Sequence, residues 1–381
     1  MKLPRPLRLL LISFVVPGEK NGGEIVLDRH LGRDPEIELR VAEPEPVPKG
    51  VVGRLRLTRL STALNDLSEM RPFQANQADI ALVREFRPDA IVTVGQHVEY
   101  RRAIGLARRT GLPLITFFHD LWPAMIKLSP LGRWASQRAF RTLAAESSLC
   151  LCVSENMFAE LGHPASGRVL LPIPGPGVPA SDSPFLMSPL KVGYSGNLYQ
   201  HGPTIGMVAD QVLDVPDISL TIRGPNPEWS GERLARLTKA GIFRPPLERD
   251  AYERWMASLD VHLCTLMFDA PQASFARTSF PSKFLEMLRF GRPVVLWGPD
   301  YAAGVQWAIK HDAALVITSP DPTEVVGALQ WLANDRALYA KFQNAARRCA
   351  ELASYEVLHS QFKSHLREIL PDFSASTNPS R

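Results

Sequence analysis

Short apolar runs alternate with amphipathic helical stretches along the whole chain, and near the middle the alternation stops and starts again. That pattern specifies βαβ units, whose parallel strands are covered on both faces and so read as unbroken apolar runs. In the first half the predicted strands are Leu7–Val16, Ile37–Val41, Ala90–Val94, Leu114–Phe118, Leu149–Val153 and Arg168–Leu171. Helical patterns such as Val98–Arg109 and Leu131–Ala145 separate most of them. The interruption is Leu171-Pro-Ile-Pro-Gly-Pro-Gly-Val-Pro179, followed by the polar stretch Ala180–Pro189. Its prolines can continue neither a helix nor a strand ladder.

Strands restart at Lys191–Ser195 and continue with Ile218–Ile222, Val261–Thr265, Pro293–Trp297 and Ala314–Thr318. The helices between them include Thr204–Leu213, Arg249–Ala257, Pro281–Phe290 and Pro322–Ala333, and Arg336–Ala353 follows. A chain of 381 residues suits two domains better than one. The expected division is 1–179, a linker at 180–190, 191–354, a C-terminal helix at 355–370 returning to the first domain, and a disordered tail at 371–381. Two open parallel sheets of this kind bind ligands at the carboxyl ends of their strands. The expected fold class is α/β, with two Rossmann-like domains whose parallel sheets face an interdomain cleft.

With 45% hydrophobic and 22% charged residues the chain is neither disordered nor fibrous. A net charge of +4 is too small to indicate a nucleic-acid binder, so no nucleic-acid partner is expected. The charge is unevenly spread. Between Arg101 and Arg141, eight cations face the single acid Asp120. That segment fits an anionic membrane surface, and equally a solvated helix face. Cys150, Cys152, Cys264 and Cys349 lack metal-ligand spacing and read as free thiols of a reducing compartment. Lys2, Arg5 and Arg8 before an apolar run imitate a secretory leader, but no small-residue cleavage site follows, so a buried first strand is expected. No run is long enough to span a membrane.

The segment richest in chemistry is Arg277-Thr-Ser-Phe-Pro-Ser-Lys283, leading into Glu286 and Gly291-Arg-Pro293. Pro281 suits the first turn of a helix, and a helix start offers free N–H groups and a partial positive charge to phosphate. Ser282 and Lys283 add donors there, and Glu286 shares the helix face with Lys283, where a ribose diol would meet it. Val192-Gly-Tyr-Ser-Gly-Asn-Leu198 ends a strand in a glycine turn, and Arg223-Gly224 ends the next. In the first half, His119-Asp120 ends a strand and Asn21-Gly-Gly23 follows the first one.

These motifs resemble the family 4 glycosyltransferases, retaining enzymes of the GT-B fold. The resemblance runs from Asn21-Gly-Gly23 through Asp89-Ala-Ile-Val92, His119-Asp120 and Val153-Ser154 to Pro281–Val295. It implies an N-terminal acceptor-binding domain and a C-terminal nucleotide-sugar-binding domain. It implies donor contacts from Gly196, Asn197, Arg223, Gly224, Thr278, Ser279, Phe280, Pro281, Ser282, Lys283 and Glu286. Gly22, Gly23, His119 and Asp120 would hold the acceptor, and His119, Lys283 and Arg223 would act in catalysis.

The chain departs from the family pattern at some positions. Counting eight residues back from Glu286 reaches Thr278 instead of a second glutamate, and the usual Lys-Gly reads His201-Gly202. The Asn-Gly before the linker reads Gly175-Pro-Gly177.

The expected reaction moves a sugar from a nucleoside diphosphate sugar to a hydroxyl of a glycan or lipid-linked acceptor, with retention. Its expected setting is cell-surface polysaccharide or glycolipid assembly. The expected location is cytoplasmic, peripheral on the inner face of the cell membrane. No Asp-x-Asp occurs, so neither metal nor cofactor is expected, and charge on the leaving diphosphate falls to protein donors. Two other readings stand beside it: a nucleotide-sugar 2-epimerase on the same fold and a non-catalytic nucleotide-sugar-binding scaffold.

Overall fold

The structure, a computed structural model, describes residues 5–45, 60–177, 189–199, 201–269 and 273–370. Two compact units emerge: Met1–Ile173 with Leu358–Arg381, and Pro174–Val357. The first holds a parallel sheet of β1 (Leu7–Leu11), β2 (Ile37–Val41), β3 (Ala90–Val94), β4 (Leu114–Phe118), β5 (Leu149–Cys152) and β6 (Gly167–Val169) in the order β2-β1-β3-β4-β5-β6. The second holds β7 (Leu190–Ser195), β8 (Ile218–Arg223), β9 (Phe243–Arg244), β10 (Val261–Thr265), β11 (Val294–Trp297) and β12 (Leu315–Ile317) in the order β12-β11-β10-β7-β8-β9.

Strands β3, β4, β5, β10 and β11 are buried at every position, because helices cover both faces of each sheet. In both sheets the first strand of the unit lies inside the order, β1 next to β3 and β7 next to β10. The chain turns opposite ways from the two members of each pair. The crevice opened at their carboxyl ends is where such sheets receive ligands.

The core of the first unit joins Leu9, Val92, Ile115 and Leu151 to Phe362, Leu366 and Leu370 from the other end of the chain. The helix Tyr355–Ile369 that carries Phe362 and Leu366 is also tied by charge: Lys363 reaches Glu36 at 2.7 Å and Asp34 at 3.5 Å, and Arg168 reaches Glu368 at 2.6 Å.

Most expected elements appear with shifted ends. β1 stops at Leu11 although the apolar run continues to Val16, and the two-residue β9 has no counterpart among the predicted strands. The first unit closes at Ile173, before the expected boundary at 179, because Gly175 and Pro176 are hydrogen-bonded to Glu286 and Arg289 of the second unit. Of the expected linker, 180–188 lies outside the described residues and Leu190 opens β7; the tail 371–381 also lies outside them.

The basic segment between Arg101 and Arg141 does not form one surface. Arg101 and Arg102 are buried, pairing with Glu69 at 3.5 Å and Asp79 at 2.6 Å, and Arg108 pairs with Glu146 at 2.5 Å. A buried guanidinium without such a partner would be costly, which is why these two face inward carboxylates.

Candidate active site

In the second unit the β7 end forms a tight turn. Ser195 pairs in register with Arg223, the last residue of β8, and the Gly196 N–H donates to the Arg223 carbonyl at 3.1 Å. Gly196 has a φ of +154°, and a Cβ built there would collide with the Lys283 ammonium. A Cβ on Gly224 would lie 1.9 Å from the Gly196 carbonyl oxygen. Both glycines are therefore required for two strand ends and one lysine to meet.

Lys283 is the second residue of the helix Ser282–Leu288, and its Nζ lies 5.5 Å from the centre of the Tyr194 ring. Pro281, expected inside the first turn, is instead the cap, since its ψ of 103° is extended. Two groups beside Lys283, His201 and Cys264, carry no charge at neutral pH. Burial, and then the Lys283 charge, push His201 down to about 4, while burial pushes the Cys264 thiol up to about 12. Among the described residues no carboxylate pairs with Lys283. A half-buried cation among neutral groups attracts an anion.

Glu286 is already engaged. It accepts from the Gly175 N–H at 3.0 Å and from Arg289 Nε at 2.7 Å, and Arg289 also binds Glu253. Tyr252, hydrogen-bonded to Ser195 and close to Glu286, is pushed up to about 12 by burial and stays a phenol.

Some expected donor residues are placed otherwise. Thr278 ends the helix Ala273–Thr278 with its side chain buried and its hydroxyl donating to the Ser274 carbonyl at 3.0 Å. Phe280 packs against Phe284 and Trp307 in the interior, and Ser279 is buried, its N–H on the Phe275 carbonyl. Asn197 is exposed, its Oδ1 accepting from the Tyr199 N–H at 3.0 Å. The Arg223 guanidinium donates to the Pro245 carbonyl at 2.7 Å and stacks on Trp255, so what it shares with the glycine turn is backbone. Burial and the nearby Arg244 lower its pKa.

In the first unit, His119 follows β4 directly. Its Nε2 is buried and has no hydrogen-bond partner among the described residues. Burial brings its pKa to about 4, which leaves a neutral imidazole. Gly22 and Gly23 open the helix Gly22–Leu27, capped by Asn21, and a Cβ on Gly23 would lie 3.5 Å from His119 Nδ1. Asp120 accepts from Gln96 Nε2 at 2.6 Å.

Three aromatic groups at the same strand ends went unnoticed in the sequence. His97 sits between Phe14 and Trp122, with ring centres 4.0 Å and 4.3 Å away. Its φ of +56° is a strained conformation costing about 1–3 kcal/mol, of the sort that collects at functional sites. The available signal was position, since His97 follows the run that becomes β3.

Comparison with known proteins agrees with this architecture. Residues 23–173 match the family described as glycosyl transferase 4-like domain. No curated protein matches the sequence. Among solved structures, the chain is similar to a sucrose-phosphate synthase from Thermosynechococcus elongatus at 13% identity and a TM-score of 0.66, covering 98% of this chain and 100% of that one. It is similar to HepE of Anabaena, solved in complex with UDP and glucose, at 17% identity and a TM-score of 0.61, covering 95% and 99%. A glycosyltransferase from Rickettsia africae gives 12% identity and a TM-score of 0.63, covering 96% and 99%. The two parallel six-stranded sheets have the arrangement of the GT-B glycosyltransferases.

Proposed function

Taking the chain as a glycosyl transferase 4-like protein of GT-B fold, we propose that it moves a sugar from a UDP-sugar to a hydroxyl of a glycan or lipid-linked acceptor, with retention and without a metal. The observation that carries this reading is Lys283: a half-buried ammonium without a carboxylate partner among the described residues, at the glycine turn of Gly196 and at a helix start. A departing diphosphate develops negative charge, and a fixed cation with helix N–H groups and the Ser282 hydroxyl stabilises it. The HepE complex with UDP supports a uridine nucleotide as donor. Glu286, one turn beyond Lys283 on the helix Ser282–Leu288, suits a ribose hydroxyl, and the His119 Nε2, without a hydrogen-bond partner among the described residues, suits a sugar hydroxyl in the first unit. The acceptor would be met at the inner face of a membrane, in cell-surface polysaccharide or glycolipid assembly.

The inward hydroxyl of Thr278 favours a second reading, a nucleotide-sugar-binding scaffold without turnover. A screen of UDP-, GDP- and ADP-sugars, with and without lipid-linked acceptors, separates the readings. Transfer or slow hydrolysis of a UDP-sugar supports the enzyme, and binding without turnover supports the scaffold. An isomerised donor would identify a 2-epimerase, and no affinity for UDP would overturn the donor assignment.

A further inference from the structure

The helix Pro130–Glu146 buries one stripe, Gly132, Ser136, Ala139, Phe140 and Leu143, in the first unit. On the opposite side, positions 131, 134, 138, 141 and 145 recur at helical spacing as Leu, Trp, Arg, Arg and Ala. Leu131 is 62% exposed and Trp134 57%, and the Arg138 guanidinium lies over the Trp134 ring. A shallow groove of about 400 Å³ runs along this side, with Trp134, Arg138 and Arg141 on its walls.

Neighbouring elements also expose apolar side chains. Asp66 accepts from the Ser129 N–H at 3.0 Å and Asn65 donates to the Lys127 carbonyl at 3.1 Å, tying the helix Ser61–Glu69 to the start of Pro130–Glu146. Leu67, Met70 and Met125 in this block are exposed as well. The basic groups differ from those elsewhere in this unit. Arg101, Arg102 and Arg108 have carboxylate partners, whereas among the described residues Lys127, Arg138 and Arg141 have none.

We propose that this side of Pro130–Glu146 docks on an anionic lipid bilayer. Tryptophan and leucine sharing a stripe with unpaired arginines is the composition of a helix lying in the headgroup layer, apolar groups inserted and guanidiniums on phosphates. The Arg138 and Arg141 guanidiniums supply the charge complementarity, and the groove between them and Trp134 admits a lipid phosphate. The inference deepens the proposed function by naming the surface at which the acceptor is met, and it rests on that reading only there.

The test is co-sedimentation of the full chain with phosphatidylcholine vesicles, and with vesicles in which about 30% is phosphatidylglycerol, at low and high salt, with UDP affinity measured alongside. Binding to the anionic vesicles alone, weakened by salt, is expected. Arg138→Gln with Arg141→Gln should lower partitioning about 25-fold, roughly five-fold for each cation removed. Leu131→Ser with Trp134→Ser should lower it further, and both variants should keep the parent's UDP affinity. Equal recovery in the two vesicle types, insensitivity to salt, or variants that bind like the parent would overturn the proposal. A parent chain that binds vesicles but not UDP would overturn the donor reading and leave this one standing.

Discussion

Replacing Lys283 with methionine should separate activity from stability. The methionine keeps most of the apolar stem and removes the ammonium, which has Tyr194, His201 and Cys264 around it and no carboxylate partner among the described residues. Folding gains nothing from an ion pair here, so the variant loses only a cation–π contact of about 0.5–1 kcal/mol and regains the desolvation of the charge. For a protein of this size the melting temperature should move by no more than about 3 °C, in either direction. Against a diphosphate the balance reverses. Two unit charges about 4 Å apart at an effective dielectric near 20 interact by about 4 kcal/mol. That agrees with the roughly 2.7–4 kcal/mol lost when one transition-state electrostatic contact is removed, so donor turnover should fall about 100- to 1000-fold. Scanning calorimetry and UDP-sugar hydrolysis measure the two effects on one preparation. A variant that melts far earlier while turning over donor at near-parent rate would refute the reasoning and make Lys283 a packing residue.

Gly224→Ala should disable the glycine turn through the backbone, because its Cβ meets the Gly196 carbonyl and not a movable side-chain tip; about 1–3 kcal/mol of stability should go in urea melts, and UDP affinity with it, and a parent-like variant would contradict the close approach. His262 in β10 is fully buried with neither ring nitrogen partnered among the described residues, and burial, with Arg292 and Arg289 nearby, pushes it down to about 3. A base lowered on folding leaves stability intact above about pH 6.5 and removes it as pH falls towards the folded value, at about 1.4 kcal/mol per unit. His262→Leu should therefore lose about 2 kcal/mol less than the parent between pH 7 and pH 5, measured by urea melts, and identical losses would count against the unpartnered imidazole.

The strands were legible because a strand covered on both faces is apolar at every position, as in Leu114–Phe118 and Val261–Thr265. Only pairing on the edge of β8 defines Phe243–Arg244, which leaves no run to see. Lys283 was legible because a proline followed by polar residues announces a helix start wherever it occurs. Tyr194 and His97 were not, since what brings them to the site is which strands lie side by side. Arg101 and Arg102 show the reverse error. Their charge suggested surface, but Glu69 and Asp79 come from other helices to neutralise them, and no window around Arg101 contains that information. Thr278 occupies the expected place in the sequence, yet its hydroxyl is satisfied within its own helix.

The closing of the first unit's core by Phe362, Leu366 and Leu370 sets the order in which a nascent chain can finish folding. Residues 5–173 leave the ribosome first, but the helix that covers their sheet follows only after about 180 more residues, roughly ten to forty seconds at about 5–20 residues per second. Through that interval the first unit presents an uncovered apolar face to chaperones and to its neighbours, while the second unit gains the last strand of its own sheet before the covering helix is made. A stop codon just after Ala353 would therefore spare the later-made half and cripple the earlier one. Dividing the gene at the proline run would give one half able to fold and one that lacks its lid, unless Leu358–Leu370 were grafted onto the first.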